Sequence, residues 1–441
     1  MIEVWILFAS FGVLLFLGVP VAIALGGSVA VAVTMFSSVP LAVMGQKVYG
    51  NLDNFLLMSV PFFLLAAALM EAGGIVRHLV NLAAMAVGRL QGGLGMTTVL
   101  TSMFFAAICG SSSATVAAVG GLMIPSLIER GYPTNYAVGV VATAGALGIL
   151  VPPSIALILY GFVTENSIPK LFVAGILPGI LYTGLLMLMA RFMAKHLKVS
   201  TPPPMNLAER IETLRVALPA LCLPVFLVIG IYGFPAFSLG KWKFQGGAIF
   251  TPTEAAVMCA VFALMIGVLV YRKIHINTLA ATVIKVTPRI GMIFWIITNA
   301  TLFGFFLANQ GVPDALAHWL VAIQMPRWAF LMMVNFVLIL AGLFLDGVPM
   351  ILTCIPVLYP AAMAVGVDPY HFAIIVVVNI ELGLQHPPMG MNLFVVSSIS
   401  GVPLGRVIRA TLPWMCVTIV QLLIITYIPW ISTFLPSLMT N

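Results

Sequence analysis

Charge is scarce in this chain of 441 residues: Asp, Glu, Lys and Arg make up 7% of it, against 62% apolar residues and a mean hydropathy of +1.17. Apolar runs of about 20 residues recur from end to end, which excludes a soluble globule and indicates a polytopic helical membrane protein. The runs are continuous rather than alternating, so a transmembrane barrel is excluded too. The first of them, Val4–Leu25, has no basic region and small-residue cleavage site of the signal-peptide kind and reads as a retained span. Cysteine is also sparse. Cys109, Cys222, Cys259, Cys354 and Cys416 are odd in number and lack metal-ligand spacing, so neither a disulfide framework nor a zinc site is indicated. No HExxH, no Walker loop and no Ser, His and acid constellation is present, so the chain reads as a non-enzyme without a cofactor.

The net charge of +7 does not indicate nucleic acid, because the basic residues lie between apolar runs, where they set orientation in a lipid bilayer. One group is Arg191, Lys195, Lys198, Arg210 and Arg215; another is Arg272, Lys273, Lys285 and Arg289. Both are expected on the cytoplasmic side. Spans at about 217–234 and 252–270 would then form a hairpin between them, with the Gly-rich loop 238–250 outside.

What the sequence does have is a repeat. At an offset of 235 residues Pro125 falls on Pro360, Gly131 on Gly366, Gly148 on Gly383, Pro152 and Pro153 on Pro387 and Pro388, and Pro178 on Pro413. ELGLQHPPMG at 381–390 thereby gains a twin, GALGILVPPS at 145–154, and Ser111 of CGSSSAT falls on Asp346 of LFLDGVP. The span after Pro178 ends among basic residues, whereas the span after Pro413 follows Arg406 and Arg409 and is itself followed by none. The two halves therefore predict opposite orientations, an inverted-topology repeat.

Each half reads as opening spans, an amphipathic connector (76–91; 313–325), and a motif block. The block holds a hairpin (93–128; 328–364) broken at Gly110–Ser113 or Asp346–Pro349, then a span broken at Pro152–Ser154 or Pro387–Met389. Unpaired backbone in hydrocarbon costs several kcal/mol, so breaks persist only where protein or a water-filled cavity satisfies them. Paired prolines remove two donors and free carbonyls that suit a dehydrated alkali cation, while half-helix N-termini suit a carboxylate. One cation site is expected between Ser111–Ser113 and the carbonyls around Gly148–Pro153. A second is expected between Gly342–Asp346 and Gly383–Met389. GSSSAT also suits close packing of helices through small residues. Glu254 of TPTEAA reads as a capping box with Thr251. Thr134–Asn135 and Asp368 read as caps, and Glu381 either joins the second site, pairs with a basic group or faces an aqueous cavity.

At these residues the chain resembles a known family. GSSSATVAAVGGLMIPSLIERGY, GILVPPS, LPG at 177–179, TPTEAA and LDGVPMILTCIPVLYP…NIELGLQHPPMGMNLFV look like the large membrane (M) subunit of tripartite ATP-independent periplasmic (TRAP) transporters. The resemblance implies an all-α, elevator-type fold in the bacterial inner membrane, with two inverted repeats and two re-entrant helical hairpins. It implies scaffold segments at 1–92 and 199–327 and motif blocks at 93–198 and 328–441. Sodium-coupled uptake of a small organic acid is implied, with a small four-helix membrane (Q) subunit and a periplasmic solute-binding (P) protein as partners. Sodium is expected at Ser111, Ser113, Gly148, Val151 and Pro153, and at Gly342, Asp346, Gly383, His386 and Met389; substrate is expected at Ser112 and Asn392. Relatives commonly carry Thr where this chain has His386. The imidazole turns away, binds substrate, or makes the second site proton-linked. A proton-coupled carrier and an anion channel are the alternatives.

Overall fold

The computed structural model describes residues 2–36, 40–195, 197, 199, 206–233, 237–239, 242–244, 249–388 and 390–439. The first half comprises α1 (Ile2–Phe16), α2 (Val21–Phe36), α3 (Leu41–Leu52), α4 (Ser59–Ala72), α5 (Ile75–Val87), α6 (Gly93–Cys109), α7 (Ser112–Glu129), α8 (Thr134–Ala144), α9 (Leu147–Leu150), α10 (Ile155–Thr164) and α11 (Ile168–Ala194). The second begins with α12 (Leu207–Tyr232) and an antiparallel ribbon, β1 (Phe237–Leu239) and β2 (Trp242–Phe244), the one departure from an all-helical chain among the described residues. It continues with α13 (Pro252–Met265), α14 (Ile276–Asn309), α15 (Val312–Ala322), α16 (Arg327–Ala341), α17 (Gly347–Ala364), α18 (Pro369–Gln385), α19 (Met391–Ser400), α20 (Leu404–Tyr427) and α21 (Trp430–Ser437). Nine segments among the described residues are long and apolar enough to cross a membrane.

The offset of 235 governs the helices themselves. It carries both ends of α7, 112 and 129, onto those of α17, 347 and 364; it carries the start of α8 onto that of α18 and the end of α9, 150, onto the end of α18, 385. The connectors appear as α5 and α15. Packing follows the same exchange: α4 lies on α13 and α14 on α2, while α19 lies along α7 and α10 along α17.

The inversion is visible in which ends meet. Tyr136, in the first turn of α8, donates to the Ala190 carbonyl near the end of α11 (2.9 Å), and Gln91 donates to the Lys195 carbonyl (3.1 Å). Tyr271 reaches the Val216 carbonyl (2.8 Å) and stacks on His78, which brings the basic ends of α12 and α13 to the same face. On the opposite face Tyr160 of α10 donates to the Pro369 carbonyl at the start of α18 (3.0 Å), Asn166 donates to the Tyr359 hydroxyl (2.8 Å), and Tyr232 reaches the Pro169 carbonyl (3.2 Å). So α8 starts on the basic face and α18, its counterpart, on the other.

Local chemistry sets the helix ends. Thr251 and Glu254 form the expected capping box around Pro252, and Asp368 caps α18 through the Tyr370 and His371 N–H groups. Three expectations are corrected. Val4–Leu25 is two helices, because Gly18 adopts φ +76° and Pro20 cannot continue the first. Thr134 and Asn135 lie inside α8, where Pro133 holds the cap position and no side chain caps it. The second hairpin breaks at 342–346 rather than at Asp346–Pro349: Pro349 is tolerated in the first turn of α17, where its missing N–H would have no intrahelical partner.

Candidate functional site: two hairpin tips on two helix breaks

In each half the hairpin tip rests on the following broken helix. Gly110 ends α6 with φ +62°, a left-handed turn open to glycine, and its carbonyl accepts from Ile155 N at the start of α10 (3.4 Å). A Cβ on Gly110 would come 2.7 Å from the Pro153 carbonyl oxygen, and one on Gly148 would come 2.6 Å from the Ser111 carbonyl carbon. Only glycine permits this approach. Ser111, Gly148 and Pro153 are thus brought together. Ser111 occupies the cap position of α7, but its hydroxyl makes no capping bond and is left for other use. Its carbonyl accepts from the Thr115 hydroxyl (2.9 Å). Ser113 is half-buried in the first turn of α7. The Val151 side chain points toward Gly179 on α11, while its backbone belongs to the break.

The break at α10 lies near the middle of a 31-residue apolar segment, Thr134–Thr164. The α6–α7 tip therefore ends at mid-depth, as a re-entrant hairpin must.

The second half repeats the plan with different contacts. Gly342 and Gly383 meet backbone to backbone: a Cβ on Gly383 would lie 3.1 Å from the Gly342 Cα. Asp346 caps α17, its Oδ1 accepting from Gly347 N (2.8 Å), and it remains exposed. Ser111 and Asp346 therefore hold the same cap position in their hairpins. His386 ends α18, donates its backbone N–H to the Gly383 carbonyl (3.2 Å), and turns its Nδ1 to the Pro387 carbonyl. No hydrogen bond joins it to Asp346 among the described residues. Met389 lies outside the described residues. Both proline pairs, Pro152–Pro153 and Pro387–Pro388, have cis peptide bonds.

Ser112 and Asn392 join the halves. The buried Asn392 amide donates to Ser112 Oγ (2.8 Å) and to the Ala142 carbonyl (3.2 Å), and Ser112 donates in return to Asn392 Oδ1 (3.1 Å). Each residue lies in the first turn of a half-helix, α7 or α19, so both N-terminal ends converge there.

Several polar groups here have surroundings that the sequence did not show. Thr115 supports Ser111 one turn into α7. Glu71, Arg289, Cys109 and Ala114 line a small cavity of about 30 Å³ between α4, α14 and the first hairpin, and Lys285 pairs with Glu71 at 3.6 Å. Lys285 and Arg289, read from sequence as orientation signals, lie on α14, where Lys285 pairs with Glu71 and Arg289 lines the cavity. A buried chain from Tyr182 to Thr418 (2.7 Å) to Gln385 (3.2 Å) links α11, α20 and α18. Of the readings open for Glu381, pairing with a basic group and facing an aqueous cavity do not hold. It is wholly buried, and among the described residues it has no basic partner and neither carboxylate oxygen is hydrogen-bonded.

Comparison with known proteins places this architecture. The family model described as "Tripartite ATP-independent periplasmic transporter, DctM component" matches residues 8–431. The chain is 40% identical to the C4-dicarboxylate TRAP transporter large permease protein DctM of Pseudomonas aeruginosa over 94% of its length and 93% of the relative's. It is 32% identical to the sialic acid TRAP transporter large permease protein SiaM of Vibrio cholerae, covering 96% of each. Over 97% of its length it is 36% identical to the isethionate TRAP transporter permease protein DctMQ of Oleidesulfovibrio alaskensis, covering 66% of that longer chain. Among solved structures, the YdaH transporter of Alcanivorax borkumensis shares the fold with a TM-score of 0.64 at 15% identity, over 89% of this chain and 88% of that one. The matched motifs, the paired breaks and the family model agree: the chain belongs to the DctM component family of TRAP transporters, and is a multi-pass inner-membrane permease subunit rather than an enzyme.

Proposed function

We propose that this subunit carries a small organic carboxylate into the cell, driven by the sodium gradient, with a small Q subunit completing its scaffold and a periplasmic binding protein delivering the substrate. The relatives transport, by their names, C4-dicarboxylates, sialic acid and isethionate, all anions, and the DctMQ name of one longer relative suits a permease that works with a Q partner. The observation that carries the reading is the recurrence, at one offset, of a hairpin tip seated on a broken helix. On this reading the break carbonyls and the cap-position oxygen at each such place supply an oxygen cage for a hard, dehydrated cation.

On this reading the first sodium is held by Ser111, Ser113 and backbone oxygens of Gly148, Val151 and Pro153. The second is held by Asp346 with backbone oxygens of Gly342, Gly383, His386 and Met389, the His386 ring being turned aside. The substrate carboxylate displaces the Ser112–Asn392 hydrogen bonds and takes the two half-helix N-termini in their place. Segments 93–198 and 328–441 move as the transport unit against 1–92 and 199–327, in elevator fashion.

The test is uptake into proteoliposomes holding this subunit with its Q partner and binding protein, using radiolabelled succinate and sialic acid as probes. Saturable uptake of one of them that collapses when external sodium is replaced by choline supports the proposal. Uptake that follows a proton gradient alone rejects sodium coupling, and non-saturating flux in either direction favours a channel.

A further inference from the structure

Helices α4 and α14 meet the first hairpin near its tip. Glu71 stands in the last turn of α4, and the chain leaves that helix beside Lys273: a Cβ on Gly74 would lie 2.8 Å from the Lys273 ammonium nitrogen. Glu71 is therefore close to the basic face, which the positive-inside rule puts in the cytoplasm. The same Glu71 shares a cavity with Cys109, the residue before Gly110, and with Ala114, two residues after Ser112. The hairpin tip thus stands level with the basic end of α4. The α14 wall of this cavity carries Val286 and Arg289.

The charges around the cavity do not cancel. Lys285, one turn before Arg289 on α14, pairs with Glu71 at 3.6 Å. Both partners are exposed, so the pair contributes little stability, but it neutralises the carboxylate. Arg289 is exposed too, and among the described residues it has no hydrogen bond and no ion pair. One carboxylate against two cations leaves one positive charge, and it resides on the guanidinium. That group presents a planar fork of donors, which fits a carboxylate through two parallel hydrogen bonds. The cavity of about 30 Å³ has room for about two oxygen-sized groups, with Leu64 and Phe105 on its apolar side. This accommodates a carboxylate and leaves the body of a larger anion outside. Ala114 ties the cavity to the first turn of α7, the turn that carries Ser112.

We propose that Arg289 is an anion-binding residue on the scaffold side, which takes the substrate carboxylate at the cytoplasmic end of its path. The inference rests on the carboxylate-uptake reading above. Because α14 belongs on that reading to the scaffold and the hairpin to the moving unit, the contact forms only while the hairpin tip stands beside α14. Lys285 serves it indirectly, by keeping Glu71 from occupying the guanidinium.

Phenylglyoxal modification of the full chain with its Q partner in lipid nanodiscs, read at Arg289 by peptide mass spectrometry, tests this with succinate and sialic acid as probes. At ten times its dissociation constant, the anion that the proteoliposomes take up should slow modification of Arg289 about tenfold. Arg210, exposed at the start of α12, should show no protection. Lys285→Gln should weaken the protection, since Glu71 is then free to pair with Arg289. In the thermal assay Arg289→Gln should weaken binding of the same anion about tenfold, and Arg289→Lys less, while the sodium midpoint without the anion stays as in the wild type. Equal modification with and without a transported anion overturns the proposal and leaves carboxylate uptake standing. Protection combined with unchanged anion affinity in Arg289→Gln overturns it as well, because the residue would then be covered by a closure without holding the anion. If neither anion is taken up and neither protects Arg289, the carboxylate reading fails and this inference fails with it.

Discussion

Replacing Asp346 by Asn separates the two jobs that the structure gives this side chain. Its Oδ1 accepts from Gly347 N and closes the first turn of α17. Asn caps helices about as well as Asp, so without sodium the variant should keep wild-type stability, whereas Asp346→Ala should lose roughly 1 kcal/mol. The charge is a different matter. A carboxylate about 4 Å from a monovalent cation contributes roughly 1 kcal/mol in water and roughly 4 kcal/mol at the effective dielectric of a protein surface. Asp346 is exposed, which places the expectation at the lower end, and even about 1 kcal/mol weakens binding by a factor of about five. Thermal unfolding of the purified subunit, titrated with NaCl against choline chloride at constant ionic strength, reads both quantities. Sodium at about 100 times its dissociation constant should add about 2.7 kcal/mol to the wild type. In Asp346→Asn the sodium midpoint should rise at least about fivefold from an unchanged sodium-free baseline. A variant that keeps the wild-type midpoint would leave Asp346 a helix cap and nothing more, and the second site would lose its only formal charge.

Four further expectations follow from packing. Gly383→Ala places a methyl 3.1 Å from the Gly342 Cα; the tip of the second hairpin must shift, at a cost of about 1–3 kcal/mol, and sodium stabilisation in the thermal assay should weaken with it. Gly139→Ala drives a Cβ to 2.5 Å from the Ala410 carbonyl oxygen and 2.6 Å from the Trp414 ring. Because backbone cannot yield as a side chain does, it should lower stability or expression while leaving the sodium midpoint of the surviving protein unchanged. Asn392→Ala removes two donated hydrogen bonds from a buried site; about 1–3 kcal/mol of stability should go, and uptake in proteoliposomes should fall further than stability alone explains. His386→Thr frees the Pro387 carbonyl from the imidazole; sodium should then bind equally or more tightly, and a loss of sodium stabilisation would identify the ring as part of the site.

Much of this architecture was legible because membrane helices advertise their interruptions. Glycine and proline are hard to place elsewhere without cost, so Pro152–Pro153 and Pro387–Pro388, with Gly148 and Gly383, marked both breaks and the repeat. The basic residues flanking α11 and α20 gave the inversion, since charge at the ends of spans has few other roles. The Val4–Leu25 run misled because α1 and α2 are both apolar, and a turn made by one glycine and one proline leaves mean hydropathy unchanged. Asn392 carried no local mark, because its role depends on Ser112, 280 residues away, and no periodicity reports contact at that separation. Glu381 was the most conspicuous charge in the second half, yet its sequence neighbours could not say which of three environments it faced. Its complete burial among the helices packed on α18 is a property of the packed chain.

The exchange of contacts between halves bears on how the two proposed cation sites and the proposed substrate position would act together. Each hairpin tip rests on the broken helix of its own half, but its second helix lies along the half-helix of the other: α7 on α19, and α17 on α10. Ordering the first break thus fixes α7, and with it the α19 surface that carries Asn392. Ordering the second break fixes the start of α19 directly, since α18 and α19 flank it. The Ser112–Asn392 pair takes one residue from each half, so its geometry requires both breaks to be in place. On the proposed sodium reading, a cation at either site lowers the conformational cost of substrate binding, and by linkage the substrate tightens each cation by the factor with which that cation tightens the substrate. Independent sites would show no such reciprocity, and a sodium titration with and without substrate distinguishes the two. The coupling needs no cation ligand shared with the substrate, only that the same two helix pairs position all three.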